Sequence, residues 1–114
     1  MTDLEFWFRI YNKRYFGGRL PNCKVTWCSP KKKVLGHFWS KDQPVPGTKE
    51  FVDRFYFIEI SRRLKFSSKL WAFTLLHEMV HLKLRDTEGK SDHGHKFQRE
   101  MKRLVKLGAF NGLW

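Results

Sequence analysis

The chain has 114 residues, of which 41% are hydrophobic and 17% aromatic, a composition that suits one folded domain over residues 1–114 and excludes an intrinsically disordered segment. Its 23 lysines and arginines against 11 acidic residues give a net charge of +12, which attracts polyanions such as nucleic acid or serves only to keep the protein in solution. No apolar stretch approaches the roughly 20 residues that cross a bilayer, and the start of the chain lacks a basic signal-peptide head, so we expect a cytoplasmic protein without membrane attachment.

The N-terminal half predicts one helix, two strands and a loop. Apolar residues at helical spacing predict a helix over Asp3–Phe16, which a glycine pair ends. Lys24–Trp27 and Val34–Trp39 have the composition of short strands, and the basic turn between them predicts that the two pair as a hairpin. Ser40–Asp53 contains two prolines and a glycine with few large apolar residues, so it is expected to be a long surface loop.

The C-terminal half predicts one strand followed by two helices. Arg54–Ile60 is rich in aromatic and β-branched residues, whereas Ser67–Arg85 and Phe97–Leu107 have helical periodicity with a polar turn between them. This order predicts an α+β domain in which three helices pack on a small, mostly antiparallel sheet.

The strongest chemical signal is an HExxH sequence, His77 to His81, inside the first of these C-terminal helices. Side chains four residues apart share one helix face, so both imidazoles can bind one Zn²⁺, which predicts a zincin-like fold with a ligand-bearing helix. Glu78 follows on the helical wheel and is placed to act as a general base, as metal-assisted hydrolysis requires. A chance match to so short a pattern is the alternative.

A catalytic zinc site also needs a third protein ligand. The histidines downstream of the HExxH sequence are His93 and His95, just beyond a glycine-containing turn. From spacing alone, either one can complete the site.

The chain resembles the SprT-like zinc metalloproteases over about residues 5 to 105. The matching segments run from the aromatic helix and its glycine turn to the final helix, and they are Tyr11–Leu20, Val25–Trp27, Gly36, Ile58–Ser61, Thr74–His81 and His93–Phe97. The resemblance implies a zinc-dependent peptidase with one catalytic zinc ion. It also implies that the third ligand is the histidine of a His-Gly-x-x-Phe segment, here His93. His95, which stands where the family often has proline, is then a group near the ligands or the substrate, or simply a polar residue at the helix start.

Several further residues are candidates for binding or catalysis. Tyr56 and His95 are the candidates for stabilising the tetrahedral intermediate. The basic residues predicted to contact DNA form a stripe on the last helix and a cluster in the first turn, namely Lys96, Arg99, Arg103, Lys106, Lys31, Lys32 and Lys33. Trp39 could stack on an unpaired base, although most aromatic residues of so small a domain belong to its core.

The sequence therefore predicts a SprT-like zinc metalloprotease that cleaves protein substrates near or on DNA, with nucleic acid bound without sequence preference. The substrate is expected to pair with the strand Val34–Trp39, where Gly36 would let another backbone approach. The alternative functions are a zinc-stabilised nucleic-acid-binding module with little or no peptidase activity, and a metallohydrolase that acts on a non-peptide bond.

Overall fold

The computed structural model of the chain describes residues 3–29, 34–44, 46–48, 51–89 and 93–112. These residues form three helices, a three-stranded sheet and one 3-10 turn, in the order α1 (Asp3–Tyr15), β1 (Cys23–Cys28), β2 (Gly36–Pro44), β3 (Phe51–Ser61), the 3-10 turn Arg62–Leu64, α2 (Ser68–Glu88) and α3 (His95–Lys106). The predicted α+β class is confirmed. Within these residues, no helix combines the length and apolarity that a membrane span requires.

The sheet is mixed, with strand order β1-β3-β2. β3 is the central strand, antiparallel to β2 and parallel to β1. The predicted hairpin of the first two strands is therefore wrong, because β3 lies between them. β3 carries buried residues at alternate positions, namely Tyr56, Ile58 and Ile60. A strand this apolar is best buried in the centre of the sheet, with a neighbouring strand on each side.

The true hairpin joins β2 to β3, so the predicted long loop Ser40–Asp53 is also wrong. β2 continues to Pro44 and β3 begins at Phe51, and both strands extend into the region that the prolines had marked as irregular. Because β2 is an edge strand, Pro44 can end it without removing a hydrogen bond from the sheet interior. A register shift between Asp42 and Gln43 marks a bulge shortly before that proline.

Helix α2 forms the centre of the core. Its residues Leu75, Leu76, Met79 and Val80 are fully buried, so the middle of the helix has a broad apolar face. It packs against β2 and β3 on one side and against α3 on another, while α1 packs on β1. The helix that carries the HExxH sequence is therefore held rigidly by its neighbours.

Candidate metal centre

Local signals at both ends define helix α2. The Ser67 hydroxyl caps its start by accepting a hydrogen bond from the amide of Leu70 at 3.4 Å. Gly89 ends it in a left-handed conformation, with φ of 78°, which glycine adopts without steric cost. The predicted helix Ser67–Arg85 thus extends three residues further, to Glu88. The HExxH sequence lies in its middle, away from either end.

The structure brings His77, His81 and His93 together. His77 and His81 come from successive turns of α2, and His93 reaches them from the segment just before α3, two residues ahead of its first residue. One ligand atom from each histidine lies within 4.8 Å of the others. His93 Nε2 is 3.5 Å from His77 Nε2. Among the residues that the structure describes, these three form the one group of histidine, cysteine and acidic side chains with this spacing.

The three imidazoles fit a zinc ion. Two nitrogens of a tetrahedral zinc site lie about 3.3–3.4 Å apart, given zinc–nitrogen bonds of about 2.0–2.1 Å, and the His77–His93 distance is close to this. Burial, reinforced by the charge of His93, lowers the pKa of His77. Burial together with the other two histidines lowers the pKa of His81 to about 4. Both rings are therefore neutral near pH 7, which is the form that binds metal ions.

The ring of Phe97 contacts all three histidines. It is 3% exposed, and its ring centroid lies 5.0 Å from that of His77, 4.7 Å from His81 and 4.8 Å from His93. A contact with each ligand limits how far any of the rings can turn. The sequence predicts Phe97 only as the first residue of the last helix; its four-residue distance from His93 is the signal that could have revealed this contact.

Glu78 faces the beginning of strand β2. Its side chain is 6% exposed, and burial raises the pKa of its carboxyl group to about 7. Gly36 lies against it, since a β-carbon built on this glycine would stand 3.2 Å from Glu78 Oε1 and 2.5 Å from Thr74 Cγ2. The absence of a side chain at Gly36 thus makes room for helix α2 itself, and β2 begins directly beside the Glu78 carboxylate.

The two side chains predicted to stabilise an intermediate lie outside the group of three histidines. The hydroxyl of Tyr56 is hydrogen-bonded to Asp86 at 3.2 Å, and Asp86 is eight residues beyond Glu78, or about 12 Å along the helix axis. Tyr56 is buried, with its ring stacked on Phe38. His95 is exposed in the first turn of α3 and does not belong to the histidine cluster.

The predicted cationic stripe on α3 divides into two groups. Lys96 forms an ion pair with Glu88, and Arg103 binds Glu100 while its guanidinium lies 5.4 Å above the ring of Phe16. Arg99 and Lys106 are exposed as predicted, and Lys102 is exposed beside them. Arg99, Lys102 and Lys106 are thus the exposed basic residues of α3 that have no carboxylate partner among the described residues, and Lys102 was not among the residues predicted. Lys31, Lys32 and Lys33 lie outside the described residues.

Two comparisons with known proteins identify the family of this chain. The sequence profile of the SprT-like family matches residues 4–111. The DNA-dependent metalloprotease dvc-1 of Caenorhabditis elegans is 31% identical over an alignment 115 positions long. The alignment covers 96% of this chain and 29% of that relative. The chain therefore spans less than a third of the relative's length. Because the family profile covers nearly all of its residues, the chain belongs to the SprT-like family.

Proposed function

We propose that this domain is a zinc-dependent peptidase in which His77, His81 and His93 hold the metal and Glu78 is the general base. The observation that carries the proposal is the convergence of three imidazoles beside one buried carboxylate. A bound zinc ion would supply Lewis acidity toward water and toward the peptide carbonyl. Three protein ligands leave a fourth position open, which is typical of catalytic sites, whereas structural zinc sites usually have four.

The carboxylate of Glu78 has the environment that a general base needs. Burial raises its pKa to about 7, so near neutral pH the group can both accept and release a proton. A zinc ion bound nearby would favour the ionised form of Glu78 and would therefore lower its pKa again. In its ionised form Glu78 would take a proton from water at the start of hydrolysis and pass it to the leaving amine.

Strand β2 is the candidate site for the substrate backbone. It pairs with β3 along one side, and among the described residues no strand pairs with its other side, where a peptide could add as a further strand. Because it begins at Gly36, beside Glu78, a peptide that pairs with β2 would pass close to the base. Recognition through main-chain hydrogen bonds would give little sequence selectivity.

The link to DNA rests on charge and on the relative. The domain carries a net charge of +12, and the C. elegans relative is named a DNA-dependent metalloprotease. The exposed Arg99, Lys102 and Lys106 of α3 form a surface suited to phosphate backbones of any sequence. We therefore propose that the protein substrates are cleaved near or on DNA.

The competing function is a zinc-stabilised nucleic-acid-binding module without peptidase activity, and Glu78→Gln separates the two. The zinc-loaded variant and wild type should be compared for cleavage of labelled casein, with and without single-stranded DNA, after zinc content and melting temperature have been matched. Cleavage by wild type and its loss in the variant support the peptidase. Equal cleavage by both proteins would exclude Glu78 as the base, and no cleavage by wild type under any condition would favour the binding module.

A further inference from the structure

The outer face of the sheet, on the side away from α2, is unusually aromatic. Side chains on this face come from alternate positions of each strand. Away from the buried end of the face at Cys28 and Ser61, they include Lys24 and Thr26 of β1, Phe55, Phe57 and Glu59 of β3, and His37, Trp39 and Lys41 of β2. The opposite face holds the buried residues Val25, Ile58 and Ile60. The hydrophobic core therefore packs on the opposite face of the sheet, and packing against the core does not account for the aromatic residues of the outer face.

The aromatic side chains on this face form an accessible cluster. Trp39 and Phe57 are cross-strand neighbours whose rings stack with centroids 3.9 Å apart and planes 11° apart. Phe55 lies two residues before Phe57 on the same face and is 47% exposed, and Trp39 is 36% exposed. The indole of Trp39 donates a hydrogen bond to Glu59 Oε1 at 3.1 Å, which fixes the orientation of the ring.

Lysines flank these rings on both sides. Lys24 is the register partner of Phe57 on β1, and Lys41 is the partner of Phe55 on β2, so each aromatic row ends in a cation. Both lysines are exposed, and in the described part of the chain neither forms an ion pair with a carboxylate. A groove of about 920 Å³ continues the face past Phe55 and Lys24 toward α1, where Arg9 adds a third cation.

We propose that this outer face is a binding site for single-stranded nucleic acid, with unpaired bases on Trp39 and Phe55 and phosphates near Lys24 and Lys41. Exposed aromatic rings interleaved with cations are the arrangement by which sheets bind single strands without sequence preference. A duplex keeps its bases stacked on each other, so it cannot use the rings. The inference rests on the nucleic-acid part of the proposed function and is independent of the zinc chemistry.

A nucleic acid is a better match to this face than an apolar protein partner. In the cross-strand rows the lysines lie at the edge of the aromatic cluster, where they could contact phosphates. The domain as a whole is also strongly positive. The face lies across the sheet from Glu78 and the α2 histidines, so a bound strand would leave the metal site open to a protein substrate. Such a site would hold the peptidase on exposed single strands.

Binding of fluorescein-labelled oligothymidylate tests the proposal directly. The Glu78→Gln protein serves as the background, so that cleavage cannot affect the measurement, and a duplex of the same length is measured in parallel. Replacing Trp39 and Phe55 together with Ala should weaken single-strand binding at least about tenfold and leave duplex binding unchanged. Replacing Lys24 and Lys41 with Ala should flatten the dependence of log affinity on log salt by about 1.4, since each phosphate contact to a single strand contributes about 0.7.

Matched variants separate this site from the rest of the surface. Phe66→Ala removes an aromatic ring that is 97% exposed elsewhere and should bind like the background, and Trp39→Phe should retain most of the affinity because a ring remains. The lysine variant changes only exposed side chains, so it tests the site even if the aromatic variant unfolds. Unchanged single-strand binding in the lysine variant, or in a folded aromatic variant, would overturn the proposal. An equal loss on single strand and duplex in the folded aromatic variant would also overturn it. Either result would leave the zinc peptidase proposal standing.

Discussion

Gly36 and Glu78 meet where strand β2 begins against helix α2, with the position of a glycine β-carbon only 3.2 Å from Glu78 Oε1. The methyl group of Thr74 is closer still, at 2.5 Å from the same position. The separation between the edge strand and the proposed base is therefore set by the lack of a side chain at residue 36.

The first prediction follows from this contact. Gly36→Ala should lower kcat by about tenfold to a hundredfold while zinc content stays unchanged, because a displacement of Glu78 by a fraction of an ångström misplaces the proton acceptor. Thr74→Ser removes the obstructing methyl group and keeps the hydroxyl that donates to the Leu70 carbonyl at 2.8 Å. The double variant Gly36→Ala, Thr74→Ser should recover part of the lost activity. Steady-state kinetics of the four proteins measure this coupling, and equal activity of wild type and Gly36→Ala would refute it.

Phe97 should determine how tightly the metal is held. Phe97→Ala removes the ring that contacts all three histidines, so we expect zinc affinity to fall by about tenfold to a hundredfold, as when groups that orient ligands are lost. Competition with a chromogenic chelator measures the affinity. Leu104→Ala, also in α3 and fully buried, is the matched control because it destabilises the core without touching the ligands. A similar loss of zinc affinity in both variants would show that Phe97 acts only through stability.

Glu100 should make the stability depend on pH. Burial alone would raise the pKa of Glu100, but hydrogen bonds and charges from Arg103 and Lys83 outweigh burial and lower it from its ordinary value of 4.5. The unfolded chain therefore takes up the proton first as the pH falls. The stabilisation is present above about pH 4.5 and is lost as the pH drops through the lower folded-state pKa.

Glu100→Gln tests this dependence by urea unfolding at several pH values. At pH 7 the variant should be less stable by about 1–3 kcal/mol, because two cations lose their charged partner. The difference should shrink toward zero as the pH falls below 4.5. A difference that stays constant from pH 7 to pH 3 would contradict the assignment.

The histidine pair and its helix could be predicted from the sequence because both depend on local spacing. HExxH fixes two ligands on one helix face whatever surrounds it, and Ser67 marks the start of α2, although the predicted end at Arg85 is three residues short of Glu88. The choice of His93 over His95 was not decided by spacing. It needed the resemblance to known proteases, and the structure brings His93, and not His95, to the pair.

The errors concern features that depend on contacts between distant residues. The β1–β2 hairpin was inferred from the short connection between these strands. In the structure both strands pair with β3 instead, because β3 is the most apolar strand and is buried between them. Pro44 suggested a loop, but an edge strand tolerates a proline at its end. Arg103 was assigned to the solvent-facing stripe because helical spacing does not reveal Glu100 and Phe16 as its partners.

Binding to DNA should depend on the exposed part of α3. Replacing Arg99, Lys102 and Lys106 with Ala should flatten the slope of log affinity for duplex DNA against log salt by up to about 2.7, as each phosphate contact contributes about 0.9. Lys13→Ala, Arg14→Ala and Lys69→Ala together remove the same charge from exposed positions on α1 and α2 and control for net charge. Equal slopes for the two triple variants would show that only total charge matters.

The metal content of ligand variants is the most direct test that His77, His81 and His93 hold one zinc ion. Wild type, His93→Ala and His95→Ala should be loaded with zinc, dialysed together against a weak chelator and assayed by elemental analysis with the melting temperature recorded. We expect one zinc per chain in wild type and in His95→Ala, and a large loss in His93→Ala. Full retention of zinc by His93→Ala with loss in His95→Ala would contradict the assignment of the site.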